Sequence, residues 1–230
     1  MLQGLFNYDN PVWRFIGKFA DIFLLNILWM VCSIPIVTMG ASTTAVYYVT
    51  LKLVRDEEGS TVKSFFKSFK ENFKQATVIW LFLLVSAAVI LFDLYFFIMI
   101  QTLPSTFRTI MIAVFLALAF VWLGTTLFVF PLQCRFYNPV KRTLFNALFI
   151  ALRHFPATLG MLVIDLGIPA LALFVTAVLQ PFVFLFGFPL LAFINSYALV
   201  WIFDKYTPKR EGEGEWHVEE TEISGETGQE

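Results

Sequence analysis

The sequence has few charged residues. Only 14% of its 230 residues are Asp, Glu, Lys or Arg, whereas 58% are hydrophobic. A soluble domain carries about 25% charged residues, so the composition excludes an ordinary water-facing surface. Phenylalanine, with 28 residues, is unusually abundant. An exposed surface that faces lipid can carry so many rings without aggregating, and the composition therefore indicates a membrane protein.

The residues that most often carry chemistry are also scarce. The two cysteines, Cys32 and Cys134, and the two histidines, His154 and His217, are widely separated in the sequence. They form neither a disulfide framework nor a metal-binding cluster. The sequence contains no phosphate-cradling glycine loop and no nucleophile–base motif. We therefore expect a protein that is not an enzyme and that holds no metal or other cofactor.

Basic residues are missing from long stretches and concentrated in two others. The Glu-rich segment Glu211–Glu230 has no Lys or Arg, and the linker Gln180–Pro181 is uncharged. Lys and Arg crowd the linkers Lys63–Lys74 and Arg135–Arg153. Because basic residues resist translocation, this alternation predicts a multi-pass protein of the cell membrane with both basic linkers in the cytoplasm. Anionic lipid heads, and not nucleic acid, are the partners that such linkers imply.

Long apolar blocks predict the fold class. Each is about 20 residues or longer, which suffices for a helix to cross about 30 Å of hydrocarbon. They are continuously apolar, whereas barrel strands alternate, so we expect an all-α, polytopic helical membrane bundle. The blocks lie at about Phe15–Ile34, Thr77–Ile100, Thr109–Leu132, Ala157–Leu179 and Pro181–Phe203.

The region 35–55 leaves two topologies open. Five spans with a cytoplasmic C-terminus would put the N-terminus outside the cell. Six spans result if the first helix breaks at Pro35, turns through Gly40 and returns as the short helix Ala41–Val54, because Pro cannot continue a helix and Gly permits a turn. The six-span arrangement places both termini in the cytoplasm and is the one that we prefer, since it keeps the basic residues on one side.

Two further segments and the tail complete the predicted organisation. Ser64–Phe73 and Leu144–Phe155 combine phenylalanines at helical spacing with basic residues, as in helices that lie in the inner membrane interface. Residues 1–207 would form the membrane domain. Residues 208–230 are rich in Gly and Glu, so they bury too little surface to fold, and we expect a disordered, acidic cytoplasmic tail.

Polar residues inside the predicted spans are the only candidate site. Asp21, Asp165 and Asn195 fall at similar depths, about two helical turns or less from the cytoplasmic edge, and Asn26 lies slightly deeper. One interpretation is a polar site that accepts a cation or a proton. The other is a set of hydrogen bonds between helices that fixes the fold, and Asp21 could simply pair with Lys18.

Several segments resemble the YesL-like family of bacterial membrane proteins. The first is Asp21–Trp29 (DIFLLNILW), which is followed by Ser33–Ser42 (SIPIVTMGAS). The second is Ser64–Thr77 (SFFKSFKENFKQAT), and the third is Pro189–Tyr197 (PLLAFINSY), which is similar to the last span of the family. The resemblance covers about residues 1–207.

The resemblance implies a cellular context and no residue roles. The family is a domain of unknown function, and its genes commonly neighbour those for sugar-uptake ABC transporters and two-component regulators. This context and the absence of an obvious reaction centre favour an accessory protein that binds or assists a carbohydrate-uptake system, with transporter subunits as its partners. Two alternatives remain open, namely a small proton-coupled permease and a membrane sensor or signalling partner of a two-component system.

Overall fold

A computed structural model describes residues 11–57, 59–100, 102–174 and 179–207. These residues form seven α-helices and a short 3-10 helix, and no strand occurs among them. The predicted all-α fold is therefore confirmed. The helices are α1 (Pro11–Ser33), α2 (Met39–Val54), α3 (Thr61–Met99), α4 (Ser105–Arg135), α5 (Val140–Arg153), α6 (Phe155–Phe174) and α7 (Leu179–Asp204). The predicted tail from residue 208 onward lies outside the described residues.

Five helices are long and apolar enough to cross a membrane, so the protein is a multi-pass membrane protein. The sixth predicted span corresponds to α2, which has 16 residues and reaches only about 24 Å. Most of its side chains are buried, which fits the expectation that it packs against protein. The five candidate spans are Ile16–Ser33, Thr61–Met99, Ser105–Arg135, Phe155–Ala172 and Leu185–Asp204.

Polar contacts hold the break between α1 and α2. Pro35 precedes the 3-10 helix Ile36–Thr38. The Thr38 hydroxyl donates to the Cys32 carbonyl over 2.6 Å, and the hydroxyls of Ser33 and Ser42 lie 2.6 Å apart. These bonds satisfy groups that the chain reversal would otherwise leave unpaired. The helices of the hairpin therefore separate at Pro35.

The α3 helix corrects one sequence prediction. The segment Ser64–Phe73 is not a separate interfacial helix, because it is continuous with the following span in one helix of 39 residues. Ser60 caps the N-terminus of the helix, and its side chain accepts a hydrogen bond from the backbone N–H of Lys63. No Pro or Gly interrupts it before Met99. The second predicted segment is a separate helix, α5, between Pro139 and His154.

The α1–α2 hairpin lies beside the first half of α3. The Thr61 hydroxyl donates to Asp21 at one end, and the Trp80 indole donates to the Ile36 carbonyl at the other. Within α3 no side chain beyond Leu83 is buried. The hairpin therefore reaches only as far as the middle of α3.

The second half of α3 and the first half of α4 form an arm. No residue in 84–99 or in 105–123 is buried. The two stretches contact each other, since the Trp122 indole donates to the Ser86 hydroxyl over 2.9 Å and the rings of Phe97 and Phe115 stack. We call these two ranges the α3–α4 arm.

The buried core lies outside the α3–α4 arm. It surrounds α2, which contacts α1, α3, α4 and α7. Its largest fully buried side chains are Phe65, Phe128 and Phe203, contributed by α3, α4 and α7. The core therefore joins the first half of α3 and the second half of α4 to the remaining helices.

Candidate intramembrane polar site

Asp165 of α6 and Asn195 of α7 are in direct contact. The Asn195 side-chain amide donates to Asp165 Oδ1 over 2.7 Å. Asn195 is only 1% exposed, whereas Asp165 is half-buried. The pair connects two helices, which agrees with the similar depths that the sequence predicts for the two residues. A carboxylate that faces a partner helix satisfies part of its hydrogen-bonding requirement within the bundle.

Other polar side chains surround this pair on α2. Tyr47 is buried and lies close enough to interact with both Asn195 and Asp165. One turn further along, the Thr50 hydroxyl accepts from the Ser196 hydroxyl over 2.9 Å, and both groups are buried. Tyr47 is not among the site residues predicted from the sequence. The signal that could have found it is its spacing of three residues from Thr50 in a helix expected to face protein.

The pair retains accepting capacity. Asn195 Oδ1 is buried and has no hydrogen-bond partner among the described residues. Asp165 uses one of its two carboxylate oxygens in the hydrogen bond to Asn195. The arrangement therefore presents acceptors, which suit a proton or another donor and not an anion.

Asn26 performs a different task at a break in α7. Gly187 has a φ of 35° and a ψ of −135°, which interrupts the helix. Pro189 has no N–H, so it cannot donate to the Leu185 carbonyl four residues earlier. The Asn26 amide donates to that carbonyl over 3.0 Å. A Cβ at position 187 would lie 2.9 Å from Asn26 Oδ1, so the contact also needs a glycine.

Asp21 is separate from both of these contacts. Asp21 Oδ1 accepts from the Thr61 hydroxyl over 2.6 Å. Lys18 forms its ion pair with Asp56, at 2.7 Å, and not with Asp21 as the sequence alternative suggests. The four predicted residues therefore occupy three places, and the structure brings only Asp165 and Asn195 together.

Gly40 and Pro35, the predicted hairpin break, also differ in role. The sequence prediction places Gly40 in the turn, but the structure places it in the first turn of α2 without a positive φ. A Cβ at this position would lie 2.5 Å from the Ala76 carbonyl oxygen and 2.5 Å from Trp80 Cβ. Gly40 is therefore needed for the close approach of α2 to α3, and Pro35 alone marks the break.

An ionic cluster that the sequence analysis misses joins three helix ends. Asp204 at the end of α7 accepts from Arg55, after α2, and from Arg135, at the end of α4. Arg135 also donates to the Thr207 hydroxyl over 3.1 Å. The sequence shows the charges but not that these three distant positions meet.

Residues 22–94 match the sequence profile of a protein family described as a protein of unknown function, DUF624. This is the YesL-like family, so the resemblance drawn from the sequence is confirmed over this segment. The resemblance of Pro189–Tyr197 to the last span of the family stays a prediction. No curated protein and no solved structure matches the chain. The matched segment contains Asn26, Pro35 and Gly40, whereas Asp165 and Asn195 lie outside it.

Proposed function

We propose that this YesL-like membrane protein is an accessory subunit that binds a carbohydrate-uptake transporter of the ABC type within the cell membrane. Its termini would both lie in the cytoplasm, as the distribution of basic residues favours. The observation that carries the proposal is the α3–α4 arm, which offers long apolar helix faces to a partner beyond the core of the chain. The proposed role is non-enzymatic and requires binding only.

One face of the arm is especially suited to a helical partner. Val85, Val89, Phe92 and Phe96 follow one another at spacings of four and three residues, so they lie along one side of α3. Val85 is 62% exposed and Phe92 is 68% exposed. Helices in a bilayer associate through close van der Waals packing. These four side chains form a ridge that could fit the groove of a neighbouring helix.

The identity of the partner rests on the family. YesL-like genes commonly neighbour those of sugar-uptake ABC transporters, so a membrane subunit of such a transporter is the expected partner. A two-component sensor is the partner that the signalling alternative requires. Both candidate partners are membrane proteins with apolar helices, and the gene neighbourhood of the family favours the transporter.

Co-purification tests the proposal. A tagged protein should retain the membrane subunits of a carbohydrate ABC transporter in mild detergent. Replacing Val85, Val89 and Phe92 by Ser should reduce their recovery several-fold, because the packing face is lost. The matched control replaces three exposed residues of α6 by Ser, and these are Val163, Leu166 and Leu171. Equal recovery with both variants, or retention of a sensor kinase instead, would contradict the proposal.

The Asp165–Asn195 pair favours a second candidate, a small proton-coupled permease. A half-buried carboxylate next to a buried acceptor is an arrangement that proton-coupled transporters use. Purified protein in liposomes would then take up labelled sugar, driven by a pH gradient, with no other subunit present. The accessory proposal predicts no uptake above that of empty liposomes.

A further inference from the structure

A cationic cluster lies where α5, α6 and α7 meet. Arg153 and His154 end α5, and Trp201, Lys205 and Tyr206 come from the last turn of α7 and the residues after it. His154 Nε2 and the Tyr206 hydroxyl share a hydrogen bond of 3.0 Å. Lys205 Nζ lies 3.2 Å from the centre of the Trp201 ring, and the Arg153 guanidinium lies 5.8 Å from the centre of the Tyr206 ring. We call these five residues the α5–α7 cluster.

The positive charges of this cluster meet no acidic partner within the part of the chain that the structure describes. Among the described residues, neither Arg153 nor Lys205 forms an ion pair. The neighbouring Asp204 is engaged by Arg55 and Arg135. Aromatic rings hold the two cations in place instead, through cation–π contacts. Both side chains are exposed, so an anion can approach them from outside the bundle.

The pKa of His154 is sensitive to the positive charges of the cluster. Burial and the charges of Lys205 and Arg153 lower the pKa of the His154 imidazole below its usual value. An anion bound between the two cations would weaken that repulsion and raise the pKa of His154 again. The cluster is therefore electrostatically complementary to a negative group.

The position of the cluster indicates the kind of anion. It lies at the start of the candidate span Phe155–Ala172 and at the end of the candidate span Leu185–Asp204, which is where a helix leaves the hydrocarbon. Trp201 is 58% exposed, and Trp and Tyr are enriched at this boundary. Phe155 and Leu159, one turn apart at the start of α6, are exposed apolar side chains within the first turns of the span.

We propose that the α5–α7 cluster binds the headgroup phosphate of an anionic phospholipid. Arg153 and Lys205 donate to the phosphate oxygens, and the Tyr206 hydroxyl adds a neutral donor. An acyl chain of the same lipid lies along Phe155 and Leu159. Basic groups between transmembrane helices recognise anionic headgroups in this way. The inference does not depend on the transporter partner.

Lipid titration of the full-length protein in nanodiscs tests the site. Phosphatidylglycerol should bind more tightly than phosphatidylcholine, as measured by native mass spectrometry. Replacing Arg153 and Lys205 by Gln should weaken phosphatidylglycerol binding by about thirtyfold, since about 1 kcal/mol of attraction per basic residue converts to about fivefold. The control replaces Lys63 and Lys67 by Gln, which removes the same charge from exposed positions of α3. Because those lysines attract headgroups only diffusely, this variant should weaken phosphatidylglycerol binding several-fold less than the loss of Arg153 and Lys205.

Three results would overturn the proposal. Equal weakening by the control variant would mean diffuse attraction without a site. Binding of inorganic phosphate as tightly as phosphatidylglycerol, with the same loss on substitution of Arg153 and Lys205, would mean that the ligand is a free anion. Equal affinity of the unchanged protein for both lipids would remove the anionic preference.

A second measurement needs no substitution of a cation. Brominated phosphatidylglycerol should quench tryptophan fluorescence more than brominated phosphatidylcholine, because Trp201 lies inside the cluster. The excess quenching should disappear in Trp201→Phe. If it persists, the anionic lipid binds elsewhere and the assignment to this cluster is wrong.

Discussion

At the scale of single residues, Gly40 sets how closely α2 approaches α3. A side chain there would meet the backbone of Ala76 and the Cβ of Trp80, neither of which can rotate away. Gly40→Ala should therefore lower the free energy of unfolding by about 1–3 kcal/mol, measured by thermal unfolding in detergent micelles. Gly160→Ala is the matched control, since nothing lies within 4 Å of its added Cβ. An unchanged melting temperature for Gly40→Ala would mean that α2 is more loosely packed than described.

Asp165 allows the structural and transport roles of the polar pair to be separated. Asp165→Asn keeps the shape and a hydrogen bond to Asn195 but removes the titratable charge, so the protein should fold with nearly unchanged stability. Asp165→Leu leaves the buried Asn195 amide without its acceptor and should cost about 1–2 kcal/mol. The accessory proposal predicts that Asp165→Asn complements a deletion strain fully. Loss of function with an intact fold would favour the permease instead.

The sequence predicts some of these residue contacts and not others. Counting helical turns places Asp165 and Asn195 at one depth, and they are hydrogen-bonded. The same counting cannot place Asn26 against the Leu185 carbonyl, because that contact depends on the direction in which α7 bends at Gly187. Pro and Gly show in the sequence that a break is possible, but they carry no information about the direction of the bend.

At the scale of elements, Asp204 connects the ends of three helices. Arg55 and Arg135 converge on its Oδ1, so removing its charge takes away an acceptor that the two guanidinium groups share. Asp204→Asn should destabilise the fold by about 1–2 kcal/mol, because charge-assisted hydrogen bonds are lost at a partly exposed site. Asp93→Asn, on the α3–α4 arm, is the control for a lost carboxylate. A similar melting temperature for both variants would show that the ionic cluster adds no stability.

The continuity of α3 explains why the predicted element boundaries are wrong there. The lysine-rich segment Ser64–Phe73 and the apolar block that follows it differ in composition, which suggests two separate helices. A helix, however, ends where capping or backbone geometry ends it, and no residue between Ser60 and Ile100 does so. The change in composition therefore marks a change of surroundings along one helix. The α5 helix is separate because Pro139 precedes it and its last residues leave the helical conformation at His154.

At the scale of the whole molecule, the length of α3 constrains how the protein sits in a bilayer. A helix of 39 residues extends about 58 Å, roughly twice the hydrocarbon thickness. Its four lysines lie in the half that flanks the α1–α2 hairpin, whereas the arm contains only two charged residues, Asp93 and Arg108. We propose that the lysine-bearing half extends toward the cytoplasm, because the distribution of basic residues favours that side.

Reporter fusions test that orientation. Two fusion sites are expected in the cytoplasm, one after Gly4 and one at the exposed Tyr137, between α4 and α5. At both sites, a reporter that works only in the cytoplasm should be active, and a reporter that works only outside the cell should be inactive. A fusion in the α3–α4 turn, at Thr102, should show the opposite behaviour. An N-terminal reporter that is active only outside the cell would replace the six-span arrangement by the five-span one.

Site-specific photocrosslinking in living cells tests the accessory role most directly. A photoreactive residue placed at Val85, Val89 or Phe92 of the α3–α4 arm should crosslink to a membrane subunit of a carbohydrate ABC transporter. The same residue at Leu159 or Val163 of α6 should not. Crosslinks from the arm to lipid alone, together with sugar uptake by the purified protein in liposomes, would contradict the account.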